Sequence, residues 1–523
     1  MLKKPLACLA TAALLSTAQE PVNLRAIHEM KTEAFENSKV MDTVFQLTDV
    51  NGPRLTNSPG HRTAAEWVMK ELKSYGLTNV HLEPFKAFGR SWNYTRYEGH
   101  MLAPSYQPLI GYPMAWSEGT NGVAKGEAMI AVLATNKDLE KFKGKLKDKI
   151  VLIDPLKDLS LNDAPMGRRL TEKELAERAS VQDPSRMGYP VRSGRTSFLT
   201  DLKRADLNKF LKDEGVLVAV RQGYNGDGGT VFATAQGSRD AKEAVPPCTI
   251  VLTAEHYNRI YRLLDKKQKV ELSFEVKAQI LNETTDSFNV IGEIKGTKKP
   301  DEIVMLGGHL DSWHGGTGAT DNGTGSAIAI EAVRILTKLK LPMDRTVRIA
   351  LWGGEEQGLL GSIGYVEEHF AERKTMKKKA EFDKLSVYYN TDTGTGKYRG
   401  IGAGGNIMAK PIFEAWMEPF KDMGFTTVSG VTSQSTKRPG GTDHTTFTWV
   451  GLPGFGFLQD PIEYSTRTHH SNMDVYDRVQ KGDLMQASAI MSAFVYHSAT
   501  RKDMMPRKPA PDPVTEEDLP SAQ

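Results

Sequence analysis

The sequence predicts an α/β protein: a mixed β-sheet covered by helices on both faces, with a β-rich module inserted ahead of the main run of strands. Three observations carry this. From residue 284 onward short apolar strands alternate with helical stretches. Runs such as Ile303-Val304-Met305-Leu306 and Val347-Arg348-Ile349-Ala350-Leu351-Trp352 have the near-continuous apolar character of strands buried on both sides. Between 106 and 282 the texture changes to glycine-punctuated strands with fewer long helices.

At 523 residues the chain is long enough for two or three domains, and 39% hydrophobic residues supply ample material for buried cores. Lys plus Arg at 67 against Asp plus Glu at 64 is too near balance for a nucleic-acid binder or a polybasic membrane protein.

Residues 1–18 place Lys3 and Lys4 before the apolar run Leu6 to Leu15 and the small residues Ser16-Thr17-Ala18, the order of an export signal cut after Ala18. That run is well short of the roughly 20 residues of a spanning helix, so no stable membrane span is expected and the mature chain is placed in the periplasm or secreted. Cleavage removes Cys8 and leaves Cys248 without an intramolecular partner.

Residues 19–105 are expected to form the N-terminal part of the main domain. Leu24, Ile27, Met30, Phe35, Val40, Met41, Val44 and Phe45 recur at helical spacings until Asn51-Gly52-Pro53, and Ser58-Pro59-Gly60 opens a helix with Ala64, Val68 and Leu72 on one face. A strand follows at Leu77–Leu82. Within 106–282, strands are expected at Ala128–Val132, Lys149–Ile153, Val216–Val220, Val231–Thr234, Thr249–Leu252 and Lys269–Val276, with helices near 200–212 and 254–266. Across 283–500 the strands are Ser287–Ile294, Ile303–Gly307, Thr346–Trp352, Leu385–Asn390 and Gly454–Leu458, separated by helices. Residues 501–523, rich in proline and poor in apolar side chains, are expected to be a disordered tail.

Ligands of such sheets sit beyond the carboxyl ends of the strands, and the chemistry-bearing residues fall at those ends. Gly307-Gly308-His309-Leu310-Asp311 and Thr320-Asp321-Asn322-Gly323 follow one strand, Gly353-Gly354-Glu355-Glu356 the next, Thr391-Asp392-Thr393 another, and Thr468-His469-His470-Ser471 precedes the final helix. These loops can bring two histidines and three carboxylates to one point, a donor set suited to zinc without any cysteine.

The strings GGHLDSW, TDNGTGS, WGGEEQGLLGS, NTDTG, GGTDHTTF and THHSNMDVYDRV together resemble the catalytic domain of the co-catalytic di-zinc exopeptidases that include bacterial leucyl aminopeptidases and aminopeptidase Y. The module at 106–282 resembles a protease-associated domain. The resemblance implies the zinc exopeptidase fold, two Zn²⁺ per chain and short peptide substrates. It implies Asp321 as the carboxylate bridging two ions, His309 and Asp392 on one, and Glu356 and His470 on the other. Glu355 becomes the general base, and Asp311 the carboxylate that orients the His309 imidazole. Adjacent side chains in an extended loop point apart, which frees Glu355 when Glu356 ligates. The resemblance also implies a cis bond between Asp321 and Asn322. His470, with Asp474 four residues on, fits the ligand position, while His469 lines the pocket or packs behind it and His314 belongs to the rim.

Candidate substrate-binding residues are Asp443 and His444 in the GGTDHTTF loop, Tyr464 and Arg467 just before the histidine loop, and Arg438; an arginine suits a terminal carboxylate. The expected activity is that of an aminopeptidase or dipeptidase, with carboxypeptidase action also open. The competing readings are a one-zinc glutaminyl-peptide cyclase and a non-catalytic peptide-binding protein. The inserted module is expected either to narrow the cleft or to offer a homodimer surface. Gly400-Ile401-Gly402-Ala403-Gly404-Gly405 lacks the spacing and lysine of a phosphate loop and is expected to be a flexible segment near the rim.

Overall fold

Successive side chains of a strand point to opposite faces, and the strand Lys299–His309 shows how that alternation builds the larger sheet. Val304 and Leu306 enter one apolar cluster with the helices Leu24–Glu36, Pro59–Ser74, Thr324–Lys338, Lys410–Met417 and Lys481–Thr500. Ile303 and Met305 enter another, with Tyr365 and Val366 of the helix Leu360–His369 and with Phe447. The computed structural model describes residues 20–86, 88–159, 163–180, 199–223, 226–281, 286–430 and 441–513.

This sheet has eight strands in the order Thr78–Phe85, Ser287–Ile294, Arg345–Trp352, Lys299–His309, Leu385–Asn390, Gly454–Gln459, Tyr398–Gly402, Thr427–Ser429. The four from Arg345–Trp352 to Gly454–Gln459 run parallel, so their carboxyl ends open on one edge. Three of the flanking pairs are antiparallel and the outermost, Tyr398–Gly402 with Thr427–Ser429, is parallel, which makes the sheet mixed as expected. The helix Pro59–Ser74 begins where the sequence places it, with Pro59 in its first turn and the Ser58 side chain accepting the His61 N–H.

A second eight-stranded sheet runs Gln107–Pro108, Ser91–Ala103, Glu271–Leu281, Ala124–Ile130, Ile150–Leu152, Val218–Gln222, Thr249–Leu252, Gly111–Pro113. It carries helices on both faces: Tyr257 and Ile260 of Ala254–Asp265 pack on Leu152, Val220 and Ile250, and Leu207 and Leu211 of Arg204–Asp213 pack on Val151 and Ala219. Among the described residues no helix is long and apolar enough to cross a membrane.

Four expectations need correction. The second sheet begins with the long strand Ser91–Ala103, ahead of the boundary expected at 106, because this strand pairs along its length with Glu271–Leu281. Val231–Thr234 joins neither sheet; Phe232 forms an isolated bridge with Ser471 instead. The glycine-rich stretch at 400 is not a flexible rim, for Tyr398–Gly402 is an interior strand and a Cβ at Gly400 would lie 1.9 Å from the Thr427 carbonyl oxygen. The part of the proline-rich tail up to 513 is anchored: Met505 is buried, and the Arg507 guanidinium donates to the carbonyls of Phe382 and Leu385. Residues 514–523, like residues 1–18 where an export signal is expected, lie outside the described residues.

One side chain joins the N-terminal segment to the strand-end loops. Arg54 is fully buried; its Nε donates to the Leu310 carbonyl, Nη1 to those of Leu47 and Thr317, and Nη2 to that of Gly318. Arg54→Ala is expected to cost about 3–5 kcal/mol of stability in the metal-free protein, because it strips several buried carbonyls of their donor and adds a cavity. Chemical denaturation measures this, and a loss below about 1 kcal/mol would mean that water replaces the guanidinium.

Candidate metal centre

The parallel strands deliver their loops to one edge, and five side chains meet there. His309, the last residue of its strand, places Nε2 3.3 Å from Asp392 Oδ1 and 3.4 Å from Asp321 Oδ1. On the other side of Asp321, His470 Nε2 lies 3.2 Å from Asp321 Oδ2 and 2.8 Å from Glu356 Oε2. Asp321 thus presents one oxygen to each imidazole. Two groups of side chains could hold a metal ion, His309 with Asp321 and Asp392, and Asp321 with His469 and His470. His469 Nε2 is farther from Asp321, at 3.7 Å, and its ring stacks on that of His470 with centroids 3.6 Å apart.

The donor set fits a cation. Asp321 Oδ2 and Glu356 Oε1 are buried yet accept no well-aligned hydrogen bond. The His309 Nδ1 donates to the Asp311 carbonyl at 2.9 Å, and since a carbonyl only accepts, this fixes a proton on Nδ1 and turns Nε2 toward the carboxylates. Imidazole nitrogens and carboxylate oxygens are the donors that zinc accepts.

The electrostatics point the same way. Burial would lower the proton affinity of His309, but Asp392 and Glu355 push it well above the usual histidine range. His470 rises to about 9, since Glu356 and Asp321 outweigh its burial. Burial raises Asp321 less than His309, His469 and His470 lower it, leaving it well below the usual carboxylate range. Burial and then Asp321 push Glu356 up to about 7. In the metal-free protein the imidazolium groups stand in for missing positive charge.

Glu355 differs from its neighbour. Its Oε2 is 3.9 Å from His309 Nε2, outside ligand-like contact. Burial, then Asp392 and Asp443, hold its carboxyl well above the usual range despite the pull of His309. Asp311 acts on this loop more directly than the sequence suggests. Its Oδ1 accepts the Glu355 N–H at 3.2 Å, and its Oδ2 accepts the Glu356 N–H at 3.3 Å and the Thr56 hydroxyl at 2.9 Å. The nearest polar contact of the imidazole is the Asp311 carbonyl, with the carboxylate 3.6 Å away. Asp474 plays a similar part for Asp321, its Oδ2 accepting the Asp321 N–H at 3.2 Å and its Oδ1 the Thr320 N–H. The Asp321-Asn322 bond is cis, as the resemblance implies.

The remaining candidates lie around this centre. Asp443 is fully buried, and burial, then Asp392, push its carboxyl up to about 7 against the pull of His309. His444 stands at the start of the short helix His444–Thr448, packed on Gly456, its proton affinity lowered to about 4 by burial. Tyr464 packs on the His469 ring with centroids 4.8 Å apart. Arg467 turns its Nη2 to the Met166 sulfur. Arg438 lies outside the described residues. His314 sits apart from the centre, its Nε2 donating to the Pro113 carbonyl at 2.7 Å.

Sequence reasoning missed Arg54, Thr56 and Asn472. Asn472 accepts the Val231 N–H on Oδ1 at 2.7 Å and donates from Nδ2 to the Gly229 carbonyl at 3.1 Å. Nothing in the local sequence marks these residues, because their partners are distant in the chain and mostly backbone atoms.

Comparison with known proteins places this geometry. Residues 289–495 match peptidase family M28. Carboxypeptidase Q from Bos taurus is 27% identical over 494 residues, covering 94% of this chain and 90% of that protein. Aminopeptidase YwaD from Bacillus subtilis strain 168 is 29% identical over 252 residues, covering 46% of this chain and 50% of that protein. The crystal structure of a peptidase M28 precursor from Shewanella amazonensis SB2B is similar with a TM-score of 0.66 at 26% identity, covering 93% of this chain and 98% of that one. The matched stretch contains every one of the five converging side chains, so it is the part of the chain that builds the centre that is similar to peptidase family M28.

Proposed function

We propose that this protein is a zinc-dependent exopeptidase that hydrolyses the terminal peptide bond of short peptides, with two metal positions sharing Asp321. The observation that carries the reading is the placement of Asp321 between two imidazoles, each backed by a further carboxylate. His309 and Asp392 would hold one ion with Asp321, and His470 and Glu356 the other. Bound there, zinc supplies the Lewis acidity that makes a water nucleophilic near neutral pH and draws charge from the scissile carbonyl.

The protein's own contribution is proton transfer and positioning. Glu355 takes a proton from the attacking water as the carbon–oxygen bond forms and returns it to the amide nitrogen as the carbon–nitrogen bond breaks. Its elevated proton affinity suits a group that must hold that proton between the two steps. Asp311 holds the backbone of Glu355 and Glu356 on one carboxylate, which keeps the base and its ligand neighbour in fixed relation. Tyr464 and His469 wall the site beside Asp321, and Asp443 is near enough to raise the proton affinity of Glu355. Tyr464, Arg467, Asp443 and His444 are assigned to the substrate pocket.

The second sheet is read as the protease-associated-like insert. Contacts such as Arg168 with Ile462 and Thr466 with Met166 set part of it along the border of the site. That arrangement favours short substrates over folded ones. Export with removal of the first 18 residues belongs to the same proposal.

The protein should contain two zinc ions per chain by elemental measurement and lose dipeptide hydrolysis on exhaustive chelation, with zinc restoring it. One ion per chain would favour the cyclase reading, and undiminished activity without metal would remove the hydrolase reading. Glu355→Gln should lower kcat by about 10²–10⁴-fold with zinc content unchanged, the range expected for loss of a general base. A panel of free, amino-blocked and carboxy-blocked dipeptides assigns the end preference. Loss of cleavage on amino blocking alone marks an aminopeptidase, and loss on carboxy blocking marks a dipeptidase or carboxypeptidase.

A further inference from the structure

His470 carries its imidazole from a backbone with φ of 64°, a left-handed conformation disfavoured for a residue with a Cβ. The loop holding it has no regular secondary structure after the single helical turn Tyr464–Thr468. Something must hold it there.

The segment 229–233, which follows the strand Val218–Gln222 of the second sheet, runs alongside it. The Ala233 N–H donates to the His470 carbonyl at 3.1 Å, and the Asn472 N–H donates to the Val231 carbonyl at 3.0 Å. Phe232 and Ser471 form the antiparallel bridge between them. Asn472 closes this ladder with its side chain, one end on the Val231 N–H and the other on the Gly229 carbonyl. The ladder therefore fixes the peptide groups on both sides of Ser471, starting at the carbonyl of His470 itself. From the other side, Trp313 lies edge-on to the His470 ring and to Trp116 of the second sheet's connections, with centroids 6.1 Å apart in each pair.

We propose that Asn472 is a positioning residue through which the connection at 229–233, between two strands of the second sheet, holds His470 in its ligand conformation, so that the affinity of one metal position is set by a segment that contributes no ligand. This rests on the two-metal reading above. The expected selectivity follows from the geometry: the ladder reaches His470, whereas His309 ends its own strand and Asp392 lies two residues beyond the strand Leu385–Asn390, where Asn322 holds the Thr391 carbonyl. Partners that orient a ligand typically change metal affinity by about 10–100-fold.

The test is a stepwise zinc titration of the metal-free full chain against a competing chromophoric chelator, with hydrogen exchange of the metal-free protein alongside. Asn472→Ala should weaken one zinc step by about tenfold or more and leave the other within about twofold. Exchange should quicken in peptides covering 229–233 and 468–474, with the midpoint temperature of the metal-free protein little changed. Arg169→Ala cuts a different tie between the two sheets, the pairing of Arg169 with Asp460 and Asp483, and should leave both zinc steps as in the wild type. Asn472→Ser, which shortens the clamp but keeps a polar group, gives the same readout if the alanine variant does not fold. Wild-type affinity at both steps in the Asn472 variants overturns the proposal. So does parallel weakening of both steps with a fallen midpoint temperature, which would make Asn472 a general structural residue. A wild-type chain that takes up fewer than two zinc ions would instead overturn the two-metal reading itself.

Discussion

Negative charge gathered in a dry place is the constraint on which this protein is built. Asp321, Glu355, Glu356, Asp392 and Asp311 come together at the carboxyl edge of the parallel strands, and Asp311 is wholly buried. Two unit charges 4 Å apart interact by about 4 kcal/mol at an effective dielectric near 20. Like charges at this density stay together only if something positive lies between them. In the metal-free protein His309 and His470 fill that role by holding protons, His470 up to about pH 9. Cations placed between the same atoms would do so without protonating the ligands, which is why the imbalance reads as a metal centre and not as an accident of packing.

A cluster that repels itself also needs a scaffold, and much of that scaffold consists of side chains bonded to backbone. The Asp311 carboxylate clasps two successive N–H groups of the neighbouring loop, and the Asp474 carboxylate clasps those of Thr320 and Asp321. The Ser326 hydroxyl donates to the His309 carbonyl, and the Asn322 Nδ2 to the Thr391 carbonyl beside Asp392. Arg54 supplies a buried cation on the same side, its proton affinity lowered by burial to about 10 and supported by Asp474 and Asp311. Glycine makes the close approach possible: a Cβ at Gly307 would lie 1.8 Å from the Ala350 carbonyl oxygen of the adjacent strand. Each ligand is thus fixed through the peptide group beside it, a tighter constraint than side-chain packing alone.

What the sequence discloses follows from where its information lies. The ligand loops are legible because each follows an apolar strand and carries an imidazole or carboxylate at once, and parallel strands must bring such ends together. Arg54 and Asn472 are silent because an arginine after a turn and an asparagine in a loop are ordinary, and most of their partners are carbonyl and amide groups hundreds of residues away. Tyr398–Gly402 was hidden by its glycines, which here serve close strand approach instead of mobility. The tail to 513 was hidden by its prolines, which remove N–H donors and yet leave carbonyls free to be bound, as the Pro506 carbonyl is by Asn406.

The two sheets are therefore less separate in energy than in sequence. Among the residues that converge on the centre, every ligand candidate lies in the first sheet or its connections, yet both histidine loops lean on the second sheet or its connections. Trp313 and His314 follow directly on the His309 loop and pack against Trp116 and Trp92, while residues 470–472 pair with 231–233. Irregular loops open at lower free energy than the strands that feed them, and a metal site must hold its donors to within about 0.5 Å. A loop that leaves its own sheet can meet that tolerance only by leaning on other structure. Here the second sheet and the connection at 229–233 provide it, so a segment without ligands holds the His470 loop through hydrogen bonds to its backbone.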